Sequence, residues 1–136
     1  MKMPEIPPGT NVVGVGIDQI EVSRIRDSFA KHGNHFLKKI FSEKEQSYCQ
    51  DKADPAPCLA ARFAAKEAVS KALGTGFGAE FGWLDAEIIH GDAGEPVIRL
   101  NEKAKRLLES KGGSRALVSL THLESVASSI VVLINE

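Results

Sequence analysis

The chain has 136 residues, 43% of them hydrophobic and 26% charged, with a formal net charge of −1 at pH 7. This balance is typical of one globular domain, and the nearly neutral charge excludes the broad positive field that attracts nucleic acid or anionic membranes. No apolar run approaches the roughly 18 residues that suggest a membrane span. We therefore expect a cytoplasmic protein that binds neither nucleic acid nor a membrane.

The leader and the cysteines bear on how the chain is organised. Residues 1–11 are proline-rich and are predicted to be a loose leader, because proline opposes both helix and central strand. Residues 12–136 are predicted to form a single domain. The two cysteines, Cys49 and Cys58, are too few for a disulfide framework and lack the partner spacing of a zinc site. We interpret both as reduced thiols.

The stretch VVGVGID, from Val12 to Asp18, alternates as a strand does. One face carries valine and isoleucine, while Gly14, Gly16 and Asp18 share the other. Glycine weakens a strand unless a ligand or another backbone comes close. Two interpretations are open: a ligand site beside Asp18, or close packing of a helix with Asp18 capping the next helix.

The next segments predict three helices. The first covers residues 19–32 and stops at Gly33, and the capping box SEKE at residues 42–45 opens the second. A loop over residues 51–57 leads to the third helix, the alanine-rich ARFAAKEAVSKALGTG at residues 61–76.

The second half predicts strands around one helix. WLDAEIIH and PVIRL, joined by the turn GDAGE, form a predicted strand pair, and a helix runs from Asn101 to near Gly112. ALVSLTH and VASSIVVLI then alternate as two further strands joined at LES. Together the segments predict an α+β fold in which a mostly antiparallel sheet packs against helices.

The third helix carries charges at a spacing that has two interpretations. Glu67 and Lys71 are four residues apart and share a face, as expected of a solvent-exposed ion pair or of a functional pair. Arg62 and Lys66, also four apart, repel each other, which is mild evidence for a bound anion. The glycines after this helix exclude a phosphate-binding loop, in which glycines precede the helix. Gly74 is instead a predicted helix terminus.

The histidines are less informative. His122 shares a strand face with Leu120, and nothing local separates a structural histidine from one whose imidazolium contacts a phosphate. The other three lie near predicted element ends and look ordinary; they are His32, His35 and His90.

Three stretches occur in order along the chain: GVGIDQIEVSRI, then FSEKE followed by ARFAAKEAVSKALGTG, and finally VSLTH. Together they resemble the holo-acyl-carrier-protein synthases, the short bacterial class of phosphopantetheinyl transferases, from Val12 to the C-terminus. The resemblance implies that a 4'-phosphopantetheine group moves from coenzyme A to a serine of apo-acyl carrier protein, in fatty acid and lipid biosynthesis. It also implies magnesium dependence and a homotrimer with sites between subunits.

By position, the resemblance makes Asp18 and Glu67 the magnesium ligands, and Asp18, Glu67 and Lys71 the catalytic residues. It implies that four residues lie near coenzyme A phosphates, namely Arg62, Lys66, Lys71 and His122. Arg24 would dock the carrier protein. Lys71 would neutralise or protonate the leaving group, and Glu67 or a water held by it could take the serine proton.

One turn departs from the family pattern, and two other functions stay open. The turn that often reads Gly-Lys-Pro in the family is Gly94-Glu95-Pro96 here, so a basic residue has become acidic. A non-catalytic module that binds coenzyme A is the main alternative, and the intact set of Asp18, Glu67 and Lys71 argues against it. A purely structural, oligomerising domain is the third possibility.

Overall fold

The computed structural model describes residues 5–136, and five strands and five α-helices lie within that range. In chain order they are β1 Val12–Glu21, α1 Val22–His32, α2 Asn34–Ile40, α3 Glu43–Gln50, α4 Pro55–Leu73, β2 Ala86–His90, β3 Pro96–Leu100, α5 Glu102–Ser110, β4 Arg115–His122 and β5 Val126–Ile134. A short 3₁₀ turn at Trp83–Asp85 precedes β2. The first four residues of the predicted leader lie outside the described range, and residues 5–11 form no helix or strand.

The strands form two antiparallel sheets, which confirms the predicted α+β class. The larger sheet has the order β1-β5-β4, and β2 pairs with β3 as a hairpin. In the larger sheet Asp18 lies opposite Ser129, and Ile17 lies opposite Ile130. The register therefore puts Asp18 on the face that bears the two glycines and Ile17 on the other face.

Helix α4 packs across the glycine face of β1 and is the centre of the fold. A Cβ atom built on Gly14 would overlap the carbonyl oxygen of Ala72, and one built on Gly16 would overlap that of Ala68. Close helix packing therefore explains the glycines, as one of the two interpretations expected. Asp18 does not cap α1, whose N-cap residue makes no side-chain hydrogen bond. No helix in residues 5–136 has the length and apolar character needed to cross a bilayer.

The opposite face of the larger sheet is apolar and open to solvent in the single chain. Ile17 is 64% exposed, Leu117 41% and Ile130 40%. Val15 and Val132 lie on the same face and are half-buried. We call these five side chains the outer sheet face. An exposed apolar patch of this kind marks an interaction surface more often than a bare surface.

Several predicted boundaries need correction. Helix α1 begins at Val22 rather than at residue 19, because β1 stays paired with β5 through Glu21. Helix α4 begins at Pro55, where the Asp54 side chain accepts a hydrogen bond from Ala56 N, so the preceding loop is shorter than predicted. Helix α2 was not predicted. The capping box at Ser42 is confirmed by both of its hydrogen bonds.

The interpretation of the cysteines as reduced thiols was wrong. A disulfide joins Cys49, near the end of α3, to Cys58, in the first turns of α4. The connection between the two helices turns back on itself and brings the two Cα atoms to 5.4 Å. Local sequence does not reveal this approach, because it depends on how α3 and α4 pack.

Candidate active site

Asp18 and Lys71 form an ion pair between β1 and α4. Lys71 Nζ lies 2.9 Å from Asp18 Oδ1 and donates a second hydrogen bond to the carbonyl oxygen of Ile17, at 3.1 Å. The Lys71 side chain is 39% exposed and that of Asp18 17% exposed, so solvent reaches the pair. The helical pair of Glu67 and Lys71 considered above is not formed as a salt bridge in the described chain, since Lys71 turns to the strand instead.

Glu67 lies one turn before Lys71 on α4 and adds a second carboxylate to this group. Burial, and then the charge of Asp18, raise the pKa of Glu67, while Lys71 and Arg24 act to lower it. We call Asp18, Glu67 and Lys71 the carboxylate site. Two carboxylates that disfavour each other's charge form a site that a cation would stabilise.

The carboxylate site fits a hard divalent cation. Magnesium binds oxygen ligands and is commonly held by one or two carboxylates together with substrate phosphates and waters. Asp18 and Glu67 supply that number. Within residues 5–136 no cluster of three or more histidine, cysteine, aspartate or glutamate side chains could hold a metal ion.

Arg62 lies in a different environment, on the side of α4 that faces α3 and the β2–β3 hairpin. Its side chain is 3% exposed, and its Nη1 donates to the carbonyl oxygen of Cys58 at 3.2 Å. Its Nη2 lies 2.7 Å from His90 Nε2, and its guanidinium carbon lies 4.5 Å from the centre of the Tyr48 ring. Burial lowers the pKa of Arg62, and the nearby Tyr48 and Glu45 oppose that shift.

An open cleft of about 360 Å³ lies beside Arg62. Basic or aromatic side chains on its wall are Tyr48, Lys52, Arg62, His90 and His122, which together we call the Arg62 cleft. His122 itself is exposed at the end of β4. Cationic and imidazole groups around an open cleft suit an anionic ligand, and an aromatic ring suits a planar base.

Lys66 is not placed where a ligand could reach it. Its side chain is fully buried, with Nζ 2.7 Å from Glu45 Oε1. The same Nζ donates to the carbonyl oxygens of Ile40 and Trp83, at 2.8 and 2.9 Å. Three acceptors use all three ammonium protons. The structure thus contradicts the expected phosphate contact, and the countercharge of Lys66 is Glu45, not a bound anion.

Within one chain the carboxylate site and the Arg62 cleft are separate. Arg62 and Lys71 are nine residues apart on α4, which is about 13 Å of rise and about half a turn of rotation. Lys71 lies with Asp18 and Gln19 in a second open pocket, whose lining shares no residue with the Arg62 cleft. The single chain therefore brings Asp18, Glu67 and Lys71 together but does not add Arg62 or His122 to them.

Arg24 and the departing turn complete the predicted set. Arg24 is exposed on α1, close enough to Glu67 to affect its pKa. Its neighbour Arg26 is held by both oxygens of Asp54, which offsets its charge. In the turn, Glu95 Oε2 accepts a hydrogen bond from Ala93 N at 3.1 Å, so its carboxylate serves the turn itself.

Tyr48 and His90 are site candidates that sequence reasoning missed. Their rings stack with centroids 4.1 Å apart, and both contact Arg62. The local pattern around Tyr48 is that of an exposed helix position, and the pattern around His90 is that of a strand end. No local signal separates them from ordinary surface residues, because the contact joins residues 42 positions apart.

Comparisons with known proteins agree with the architecture. The chain matches the 4'-phosphopantetheinyl transferase superfamily over residues 14–122. It is 47% identical over 119 residues to the holo-[acyl-carrier-protein] synthase of Chlamydia trachomatis serovar D, covering 88% of this chain and 97% of that one. The crystal structure of the Neisseria meningitidis holo-[acyl-carrier-protein] synthase has a TM-score of 0.83 at 31% identity, covering 90% of this chain and 98% of that one. The Helicobacter pylori synthase in complex with coenzyme A has a TM-score of 0.78 at 30% identity, covering 88% and 98%.

Proposed function

The chain belongs to the holo-acyl-carrier-protein synthases of the 4'-phosphopantetheinyl transferase superfamily, and we propose that it converts apo- into holo-acyl carrier protein. The serine oxygen of the carrier attacks the phosphorus of coenzyme A that bears pantetheine. The bond from that phosphorus to the bridging oxygen breaks, and adenosine 3',5'-bisphosphate leaves with that oxygen. The observation that carries the proposal is the meeting of Asp18, Glu67 and Lys71 in a chain that matches this family over most of its length.

Each residue of the carboxylate site has a role that suits its environment. Lys71, a partly exposed cation, neutralises or protonates the leaving oxygen. Glu67 has its pKa raised by burial, which brings a carboxylate nearer to the range of a general base, so it takes the serine proton directly or through a water. Asp18 holds Lys71 in position through their ion pair.

Magnesium is the metal that the carboxylate site suits, with Asp18 and Glu67 as its protein ligands. When bound, it supplies positive charge to the diphosphate of coenzyme A. Without it, two carboxylates beside a polyphosphate would repel the substrate, and Lys71 alone offsets one of the two charges.

The active site is shared between subunits of a homotrimer. Two observations support this part of the proposal: the carboxylate site and the Arg62 cleft share no lining residue within one chain, and the outer sheet face is apolar and uncovered. A ring in which each subunit contacts the next through unlike surfaces covers that face in every copy. Coenzyme A then spans the carboxylate site of one subunit and the Arg62 cleft of its neighbour, where Arg62 and His122 contact its phosphates.

Arg24 receives the carrier protein. It is exposed on α1 and lies near Glu67, so a carrier bound there presents its serine to the carboxylate site. Arg26 contributes less to docking because Asp54 pairs with it. We expect the reaction to take place in the cytoplasm and to serve fatty acid and lipid biosynthesis.

The test is incubation with coenzyme A, magnesium and an apo-acyl carrier protein, followed by intact-mass measurement of the carrier. Transfer adds one phosphopantetheine mass to each carrier molecule. A non-catalytic module would bind coenzyme A and leave that mass unchanged, and a structural domain would do neither. The intact carboxylate site does not favour either alternative.

A further inference from the structure

A chain of hydrogen bonds runs from the β2–β3 turn through His90 to Arg62. His90 Nδ1 lies 3.1 Å from the carbonyl oxygen of Gly94, and Nε2 lies 2.7 Å from Arg62 Nη2. A carbonyl oxygen accepts and a guanidinium only donates. Nδ1 must therefore carry the proton, while Nε2 offers its lone pair to Arg62. The neutral Nδ1–H imidazole is the one form of the ring that satisfies both contacts.

His90 is one of two hydrogen-bond partners of the Arg62 guanidinium. In the described chain its hydrogen-bond partners are the Cys58 carbonyl and His90, and its Nε is buried with no partner there. The Tyr48 ring supports both side chains, because it stacks on His90 and lies under the guanidinium. Loss of the imidazole acceptor would leave one hydrogen bond to fix a planar group whose direction decides which phosphate it meets.

The charged and titratable groups around His90 come from every element that packs there. They are Tyr48 and Lys52 at the end of α3, Asp54 and Arg62 at the start of α4, Glu95 in the β2–β3 turn and His122 on β4. Arg62 is the one of these whose polar atom lies within hydrogen-bond distance of His90 in the described chain. Glu95 is bonded to Ala93 N, and Asp54 is paired with Arg26.

We propose that His90 is a positioning residue for Arg62, and that protonation of His90 weakens the binding of coenzyme A by releasing Arg62. If His90 were protonated, its Nε2–H would face an N–H group of Arg62. Two donors, both on cations, would then be in contact. Since the guanidinium cannot lose its proton, it must turn away. The pH of the assay is therefore the variable that tests this dependence.

This inference rests on the proposed contact between Arg62 and coenzyme A. A competing effect runs the other way, because a protonated His90 would also add positive charge near the ligand phosphates. The two effects predict opposite pH dependences. We expect the release of Arg62 to be the larger effect, because the added charge lies next to Arg62 and disturbs the group that makes the contact.

The experiment compares the wild type with His90→Gln and His90→Phe. Glutamine keeps a donor for Gly94 and an acceptor for Arg62 but does not titrate, whereas phenylalanine keeps the stack on Tyr48 and loses the acceptor. Affinity for adenosine 3',5'-bisphosphate is measured by calorimetry, and KM and kcat for coenzyme A are measured at saturating carrier, between about pH 5.5 and pH 8. The ratio of wild type to His90→Gln at each pH cancels every pH effect that does not involve His90.

We expect the two proteins to bind alike at the alkaline end, with the wild type weaker by about tenfold at the acidic end, the size of one hydrogen bond to a charged group. His90→Phe should raise KM for coenzyme A by about tenfold at the alkaline end and leave kcat within about twofold. The proposal is overturned if the ratio of wild-type to His90→Gln affinity does not change with pH. It is also overturned if the wild type binds more tightly than His90→Gln at the acidic end. If His90→Phe proves unstable in thermal melts, the ratio for His90→Gln decides alone.

Arg62→Gln separates this inference from the proposed function. In that background His90→Phe should have no further effect, because His90 acts through Arg62. An equal loss in both backgrounds would show that His90 contacts the ligand itself and is no positioning residue. If Arg62→Gln alone leaves nucleotide affinity unchanged, the proposed contact of Arg62 fails and the role of His90 fails with it. If Arg62→Gln weakens binding and the His90 variants behave as wild type, the inference alone fails.

Discussion

The carboxylate site and the Arg62 cleft share helix α4 but hold their charges in opposite ways. In the carboxylate site the charged groups are partly exposed; Lys71 pairs with Asp18, and Glu67 lies near enough for both charges to affect its pKa. In the Arg62 cleft one cation is buried among a ring, an imidazole and a carbonyl, none of which carries negative charge. Negative charge is in excess in the carboxylate site, and positive charge is in excess in the Arg62 cleft.

This difference shows what each region is prepared to bind. A cation relieves the repulsion between Asp18 and Glu67, and an anion supplies the countercharge that Arg62 lacks. A ligand that carries phosphates and recruits magnesium satisfies both regions at once. Lys66, which lies between them on the same helix, is already neutralised by Glu45 and belongs to neither.

Replacing Lys66 should give the largest effect on stability. It also tests whether Lys66 is structural or belongs to one of the two regions. Lys66→Met leaves the Glu45 carboxylate buried without its cation, a loss of about 3 to 5 kcal/mol in the free energy of unfolding. Urea denaturation measures it. The double variant Lys66→Met with Glu45→Gln is the control, and it should recover most of the loss. If Lys66→Met kept full stability and raised the KM for coenzyme A, Lys66 would instead be a residue that contacts coenzyme A.

Neutralising the carboxylates should abolish most transfer and spare the fold. Glu67→Gln or Asp18→Asn keeps nearly the same shape but removes a charged ligand, so kcat should fall by about 10² to 10³ and magnesium dependence should weaken with it. The double variant should be far less impaired than the product of the two single losses, as expected of residues that act as a unit. Transfer rates across a magnesium titration measure both effects.

The matched control for this experiment is Glu109→Gln, which neutralises an exposed carboxylate on α5. It should keep wild-type turnover and wild-type magnesium dependence. A folded Glu67→Gln protein that behaves like this control would remove the metal role assigned to Glu67 and favour a structural role for it.

The elements of the fold were largely predictable because their signals are local. The capping box at Ser42, the glycine terminus at Gly74 and the alternation of the C-terminal strands lie within a few residues each, and the structure confirms all three. The start of α1 was misplaced because pairing with β5, over 100 residues away in the chain, extends β1 beyond its own pattern. Local propensity does not contain that information.

The site residues also show what local sequence can and cannot predict. Asp18, Glu67 and Lys71 were predicted as site residues from the resemblance; the structure pairs Lys71 with Asp18 and puts Glu67 near enough for both charges to affect its pKa. The burial of Lys66 was missed because its partner Glu45 lies 21 positions earlier, on another helix. Helical spacing shows which side chains share a face but not whether that face is buried, so two cations on α4 looked alike and proved to have different partners.

Mixed trimers test directly whether the carboxylate site and the Arg62 cleft of one active site come from different subunits. If each active site takes its carboxylates from one subunit and Arg62 from the next, Glu67→Gln and Arg62→Ala chains should complement each other. In a random equal mixture about a quarter of the sites would join a wild-type carboxylate site to a wild-type Arg62 cleft, restoring about that share of wild-type rate. Separate assays of each variant give the baseline. Co-expressed chains with no gain over that baseline would place both regions in one subunit's site.

The smallest predicted effect separates the two regions by pH, in the absence of metal. Because the pKa of Glu67 is raised above its usual 4.5, its protonated form favours the folded state, and that stability is lost as pH rises through the folded pKa. Glu67→Gln should match the wild type near about pH 4 and exceed it at about pH 8, by a few tenths of a kcal/mol for a partly solvated group. Thermal melts in chelator measure this, with Glu109→Gln as the matched control. Adding magnesium should reverse the order at the higher pH, since the ion stabilises the charged pair in the wild type alone; an unchanged order would mean that the carboxylates repel each other without sharing an ion.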